Sequence, residues 1–92
     1  MKDYTQLKLL LESLESFPLQ FTYKFIGRNT ANFRTAVTQF EALFPSLKTE
    51  GSRLSGNQAH LSMTYSLSAP TAQHIIDVFQ AIEKIEDVLI VL

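Results

Sequence analysis

The chain of 92 residues contains no cysteine, three prolines and three glycines. The absence of cysteine excludes a disulfide framework, a zinc–thiolate site and a thiol nucleophile. No apolar run exceeds five residues, whereas a membrane-spanning helix needs roughly 20. Eight basic residues balance nine acidic ones, so no strong field attracts nucleic acid or an anionic membrane. Early acidic residues do not suit a signal peptide, and we expect a cytoplasmic protein.

Apolar residues are abundant despite these absences, at 46% of the chain, and their spacing predicts three helices and four strands. The predicted helices are residues 3–15, 30–44 and 70–85, and the predicted strands are residues 19–27, 46–54, 59–67 and 87–92. After the first helix the order is β-α-β-β-α-β, which is typical of a ferredoxin-like sandwich. We therefore predict an α+β fold, with a four-stranded antiparallel sheet of order 4-1-3-2 and two helices on one face. The predicted units are an N-terminal amphipathic helix in residues 1–16 and a ferredoxin-like domain in residues 17–92.

The first predicted strand shows the clearest pattern in the chain. Phe21, Tyr23 and Phe25 alternate with polar or mixed residues, so one parity must face a core and the other a half-exposed surface. Gly27 is expected to allow a sharp exit from the strand.

The segment Phe17-Pro18, with Phe21, Tyr23-Lys24 and Gly27 after it, resembles the start of the YbeD-like family of small bacterial proteins. The resemblance continues through Ser55-Gly56 to the closing residues Ile85, Val88 and Val91-Leu92. That family is a domain of unknown function, similar in fold to ACT regulatory domains, which bind small ligands such as amino acids and often pair between subunits. The resemblance implies a regulatory role and no established catalytic residue. The N-terminal helix is longer than the family pattern.

A candidate site for a small anionic ligand follows the first strand, where a loop leads into the N-terminus of a helix. Free amides and the helix dipole favour an anion there, and in ACT-like domains the corresponding loop often meets the ligand. The candidate residues are Lys24, Gly27, Arg28, Asn29 and Thr30. The alternative is structural, with Arg28 a solvated charge and Asn29 or Thr30 a helix cap.

A candidate interface lies on the last predicted strand, which is apolar at every position from Val88 to Leu92. We predict that Val88, Ile90 and Leu92 face the core and that Leu89 and Val91 lie beside Ile26 on the open face. Such a patch next to an edge strand favours pairing with a second chain, which would make a homodimer. The alternative is a monomer in which the N-terminal helix covers the patch.

These features favour a non-enzymatic ligand-binding or regulatory module, and the alternative is a protein–protein adaptor that uses the N-terminal helix or the last strand. An acylphosphatase-like enzyme would need an asparagine in the second strand, and residues 46–54 contain none. An RNA-binding sheet needs exposed aromatic residues, whereas the aromatic parity here is predicted to be buried. His60 and His74 fall on different elements, so we predict no catalytic residue, metal or cofactor.

Overall fold

The structure is a computed structural model, and it describes residues 3–92. It contains the seven elements that the apolar spacing predicts, in the predicted order. They are α1 (Thr5–Leu14), β1 (Leu19–Arg28), α2 (Ala31–Leu43), β2 (Lys48–Leu54), β3 (His60–Ala69), α3 (Ala72–Glu83) and β4 (Val88–Val91). Most element ends differ from the predicted ones by one or two residues. Residues 1 and 2 of the predicted N-terminal unit lie outside the described range.

The four strands form one antiparallel sheet of order β2-β3-β1-β4. This is the predicted order 4-1-3-2, counted from the other edge, and the α+β class is confirmed. β1 pairs with β3 without interruption from Leu19 opposite Ala69 to Arg28 opposite His60. The two long strands therefore form the centre of the sheet, and the arrangement is consistent with a ferredoxin-like fold.

The core lies between one face of this sheet and two helices. Tyr23 and Phe25 of β1 are fully buried, as is Tyr65 of β3. The ring of Tyr23 meets Phe79 of α3, and the rings of Phe25 and Tyr65 meet Phe40 of α2, with Phe25 and Phe40 edge to face at a centroid distance of 5.8 Å. Buried side chains of α2 and α3 join the same cluster, so both helices cover one face of the sheet. The prediction that the aromatic side of β1 is buried is thus confirmed, and the opposite face of the sheet is left open.

β2 is the least buried strand, because all seven of its residues are exposed. It lies at one edge of the sheet and pairs only with β3. The pairing shifts register between Thr49 and Gly51, which is a bulge of the kind common at sheet edges. β2 is therefore an exposed, bulged edge strand.

α1 packs beside α3 and not on the open face of the sheet. The ring of Tyr4 stacks on Phe79 at 5.9 Å, and its hydroxyl donates a hydrogen bond to Glu83. Leu11 packs against the core, whereas Leu9, Leu10 and Leu14 are exposed. Only some of the leucines of the predicted amphipathic helix therefore pack within the chain.

The three tyrosines all have hydrogen-bonded hydroxyls. Tyr23 donates to the backbone oxygen of Ile75 at 3.0 Å, and Tyr65 donates to Glu41 at 2.7 Å. Burial raises the pKa of Tyr23, and burial together with the Glu41 carboxylate raises the pKa of Tyr65. Burial, helped by Glu83, raises the pKa of Tyr4 to about 12. Each phenol is thus held in its neutral form in the folded chain.

We expect that no tyrosine of the folded protein ionises at its ordinary pKa of about 10. A raised folded pKa gives stability that is complete below the unfolded value and is lost as pH rises through the folded value. Titration of tyrosinate absorbance should therefore begin only above about pH 11, while the urea-unfolded chain is half-ionised near pH 10. Tyr4→Phe should remove the first part of the native titration, because Tyr4 is the most accessible of the three. Half-ionisation of any tyrosine near pH 10 with native circular dichroism would contradict this assignment.

Candidate functional site

The loop from β1 to α2 begins the helix through a side-chain cap. Thr30 is the N-cap of α2, and its hydroxyl oxygen accepts a hydrogen bond from the backbone N–H of Phe33 at 3.0 Å. The same hydroxyl donates to the carboxylate of Asp87 at 2.6 Å. A carboxylate from the turn before β4 thus already lies at the helix N-terminus, where an anion is favoured.

Asn29 ties the same loop to the β2–β3 turn. Its backbone N–H donates to the oxygen of Ala59 at 3.0 Å, and its side-chain amide donates to the oxygen of Gln58 at 2.9 Å. Its side-chain oxygen accepts from Arg34 at 2.7 Å. The polar groups of Asn29 and Thr30 are therefore engaged within the chain, which agrees with the structural alternative stated for them. A ligand role for the loop stays a prediction.

Gly27 lies inside β1 and does not mark the exit from the strand as predicted. Its φ is not positive, so the backbone does not demand glycine. The reason is space: a Cβ on Gly27 would come within 2.2 Å of the ring of Phe33. Phe33 is fully buried at the start of α2, so Gly27 lets the helix close on the strand.

Lys24 and Arg28 lie on the open face of the sheet, opposite Thr64 and His60 of β3. Both side chains are exposed. They are four residues apart on one strand, a separation of about 13 Å. Of these two predicted site residues, Arg28 therefore adjoins Asn29 and Thr30 of the loop, but Lys24 is not brought to them.

The last strand differs from the prediction because it carries a bulge. Gly27 pairs with Val88, but Ile26 pairs with Ile90, so the strict alternation of faces is broken at Leu89. Val88 and Val91 pack against the core, whereas Leu89 and Ile90 are 44% and 49% exposed, and Leu92 is 64% exposed. The expected placement of Leu89 is confirmed. That of Val91 on the open face is wrong, as is that of Ile90 and Leu92 in the core.

The exposed apolar residues of β4 border a shallow cavity, which we call the open-face hollow. Its volume is about 490 Å³, and it extends from the β2–β3 hairpin to β4. The lining residues are Ile26, Arg53, Leu54, Ser55, Gly56, His60, Ser62, Leu89 and Ile90. Ile26 and Leu89 are the predicted interface residues that belong to it. No α1 residue lines it, so the alternative in which the N-terminal helix covers this patch is wrong.

The hairpin residues of the hollow were not predicted as site residues. Arg53 lies opposite Ser62, and Ser62 lies opposite Ile26, so these residues occupy one row across three strands. The sequence carries no strong signal for this row, because β2 is polar at most positions and its register depends on the bulge. Within residues 3–92, the guanidinium of Arg53 has no hydrogen bond or ion pair.

Other chemistry is sparse in the described part of the chain. Among residues 3–92, no group of three histidine, aspartate or glutamate side chains is placed to hold a metal ion. His60 and His74 lie on β3 and α3, and the buried Nε2 atom of His74 has no hydrogen-bond partner. Across the same residues, no helix has the length and apolar character needed to cross a membrane.

We expect Gly27→Ala to destabilise the protein by about 1–3 kcal/mol, because the added methyl group would overlap the buried Phe33 ring. Gly51→Ala is the matched control, since a Cβ there meets no atom within 4 Å. Its effect should stay within about 1 kcal/mol of zero. Urea denaturation of both variants measures the difference. Equal stabilities would show that the Gly27–Phe33 contact does not select glycine.

We expect Thr30→Val to lower stability by about 1–2 kcal/mol, because it removes the cap and leaves Asp87 without its donor. Thr30→Ser, which keeps the hydroxyl, should restore most of the loss. Thr35→Val on the exposed side of α2 is the control and should change stability by less than about 0.5 kcal/mol. The same urea measurement suffices, and a Thr30→Val protein as stable as the control variant would contradict the structural role of the loop.

The comparisons with known proteins agree with the sequence resemblance. A family model described as a protein of unknown function, DUF493, matches residues 12–92. No match was found among curated proteins or among solved structures. Most of α1 precedes the matched range, whereas every strand and both core helices lie within it. The chain therefore belongs to the DUF493 family of proteins of unknown function, and its predicted membership of the YbeD-like group is confirmed.

Proposed function

We propose that this chain is a non-catalytic binding module that takes a small ligand in the open-face hollow. The observation that carries the proposal is the hollow itself, a depression with apolar and polar lining residues on the face of the sheet that the helices leave uncovered. Its volume of about 490 Å³ lies within the range of roughly 300–1,000 Å³ found for small-molecule sites. The regulatory role and the ACT-like character implied by the resemblance are part of this proposal.

The polar groups of the β1–α2 loop support the choice of the hollow over the loop. Asn29 and Thr30 are bonded to other parts of the chain, and the Asp87 carboxylate is already at the helix N-terminus. An incoming anion would meet this carboxylate and would have to displace it. Nothing comparable fills the hollow, where Ile26, Leu89 and Ile90 border open space.

The size of the hollow favours a small ligand over a protein partner, which is the competing adaptor function. Nine residues line the hollow, whereas a stable protein interface uses roughly 20–30 residues on each side. The exposed leucines of α1 lie on a helix that packs against α3, away from the hollow, and do not enlarge it. The open faces of β1 and β3 also carry no phenylalanine, tyrosine or tryptophan, and His60 alone offers a ring there on which an RNA base could stack.

A neutral apolar probe tests the proposal without regard to ligand charge. Burial of one aromatic ring contributes roughly 2 kcal/mol, so we expect weak but saturable binding of benzyl alcohol. Amide NMR shifts should be largest at Ile26, Leu89 and Ile90, and Leu89→Ser should abolish the pattern. Leu43→Ser is the matched control, because Leu43 is exposed on α2 and away from the hollow.

The distribution of the shifts decides between the competing functions. Shifts confined to the hollow support the proposal. Shifts that centre on the β1–α2 loop or on α1, or that survive Leu89→Ser unchanged, would contradict it.

A further inference from the structure

The open-face hollow is polar at one end and apolar at the other. Arg53, Ser62, Ile26 and Ile90 follow one another across β2, β3, β1 and β4, as the cross-strand register shows. Neighbouring strands lie about 4.8 Å apart, so this row is about 14 Å long. A ligand lying along it would meet a guanidinium first and aliphatic side chains last.

The polar end of the row carries the positive charge of Arg53, and among residues 3–92 no acidic side chain lines the hollow to neutralise it. Within the same range the Arg53 guanidinium and the His60 ring have no hydrogen-bond or ion-pair partner. Arg28 lies opposite His60 on the same face, but it is two residues from Ile26 on β1 and does not line the hollow, so Arg53 is the guanidinium of the polar end. The planar guanidinium matches a carboxylate, which it can bind through two parallel hydrogen bonds.

The other end of the row is lined by aliphatic side chains. Ile26, Leu89 and Ile90 line it, and the bulge of β4 is what brings Leu89 and Ile90 to the same hollow. These side chains offer no hydrogen bond to a ligand. They favour a short alkyl or aryl group, which leaves water on contact with them.

We infer that the open-face hollow binds a small amphipathic carboxylate, with its carboxylate on Arg53 and its apolar portion on Ile26, Leu89 and Ile90. The inference rests on the proposed function and adds to it the charge and orientation of the ligand. Arg53 selects the anion, and the bulged β4 residues select its apolar part.

Phenylbutyrate and its primary amide form the matched pair of probes, because they differ in charge and share the apolar group. Calorimetry and amide NMR at one pH and salt concentration should give at least about tenfold tighter binding of the carboxylate. Arg53→Met, which keeps an apolar stem, should reduce the carboxylate affinity to that of the amide. Lys48→Met is the control: it removes the same charge from the same exposed strand outside the hollow, and the tenfold preference should persist.

Comparing the carboxylate probe with the amide probe tests the inferred ligand charge separately from the proposed binding function. Equal affinities of the two probes, with NMR shifts at the hollow, would overturn the carboxylate assignment and leave the hollow as a binding site. A carboxylate preference that survives Arg53→Met would also overturn it. Absence of binding by both probes would remove the hollow as a site, and the inference with it.

Discussion

β1 pairs with β3 without interruption from Leu19 to Arg28, and this pairing decides which side chains face the helices. Because the side chains of paired strands alternate in register, burial of Tyr23 and Phe25 commits Met63 and Tyr65 to the same face. A slip of one residue would move every aromatic ring of β1 to the open side. The helices follow from this, since α2 and α3 have a single apolar face on which to pack. The other face of the sheet stays uncovered, and its polarity is set by residues that do not pack in the core.

At one end of the sheet, the contact between β1 and α2 stabilises the fold through residues that were also predicted to bind a ligand. Gly27 admits the Phe33 ring, and Thr30 and Asp87 complete the start of the helix. Glycine, a hydroxyl and an asparagine before a helix are the residue types of an anion-binding loop. Here they instead pack and hydrogen-bond within the chain. The same residue types therefore fit either role, and only the bonding partners distinguish the two.

Much of the fold could be predicted from the sequence, because the strongest patterns belong to elements with one buried face. β1 alternates cleanly, and α2 and α3 carry apolar stripes, so their existence and order followed directly. β4 could not be placed correctly, since all of its residues are apolar and a bulge changes which ones are buried. Arg53 and His60 were missed as site residues for a related reason: the register of a polar hairpin depends on its bulge and on its turn, where Gln58 has a positive φ of 61°.

Because β2 is fully exposed, the open face is less stable locally and tolerates substitution better than the core. Segments with little buried apolar surface open locally at low free-energy cost, so β2 amides should exchange with solvent faster than those of β1. The segment that contributes Arg53 is thus the one that the core restrains least. Substitutions along β2 change the open face while the packed side of the molecule stays intact. The open face and the packed core therefore depend on different stretches of one short chain.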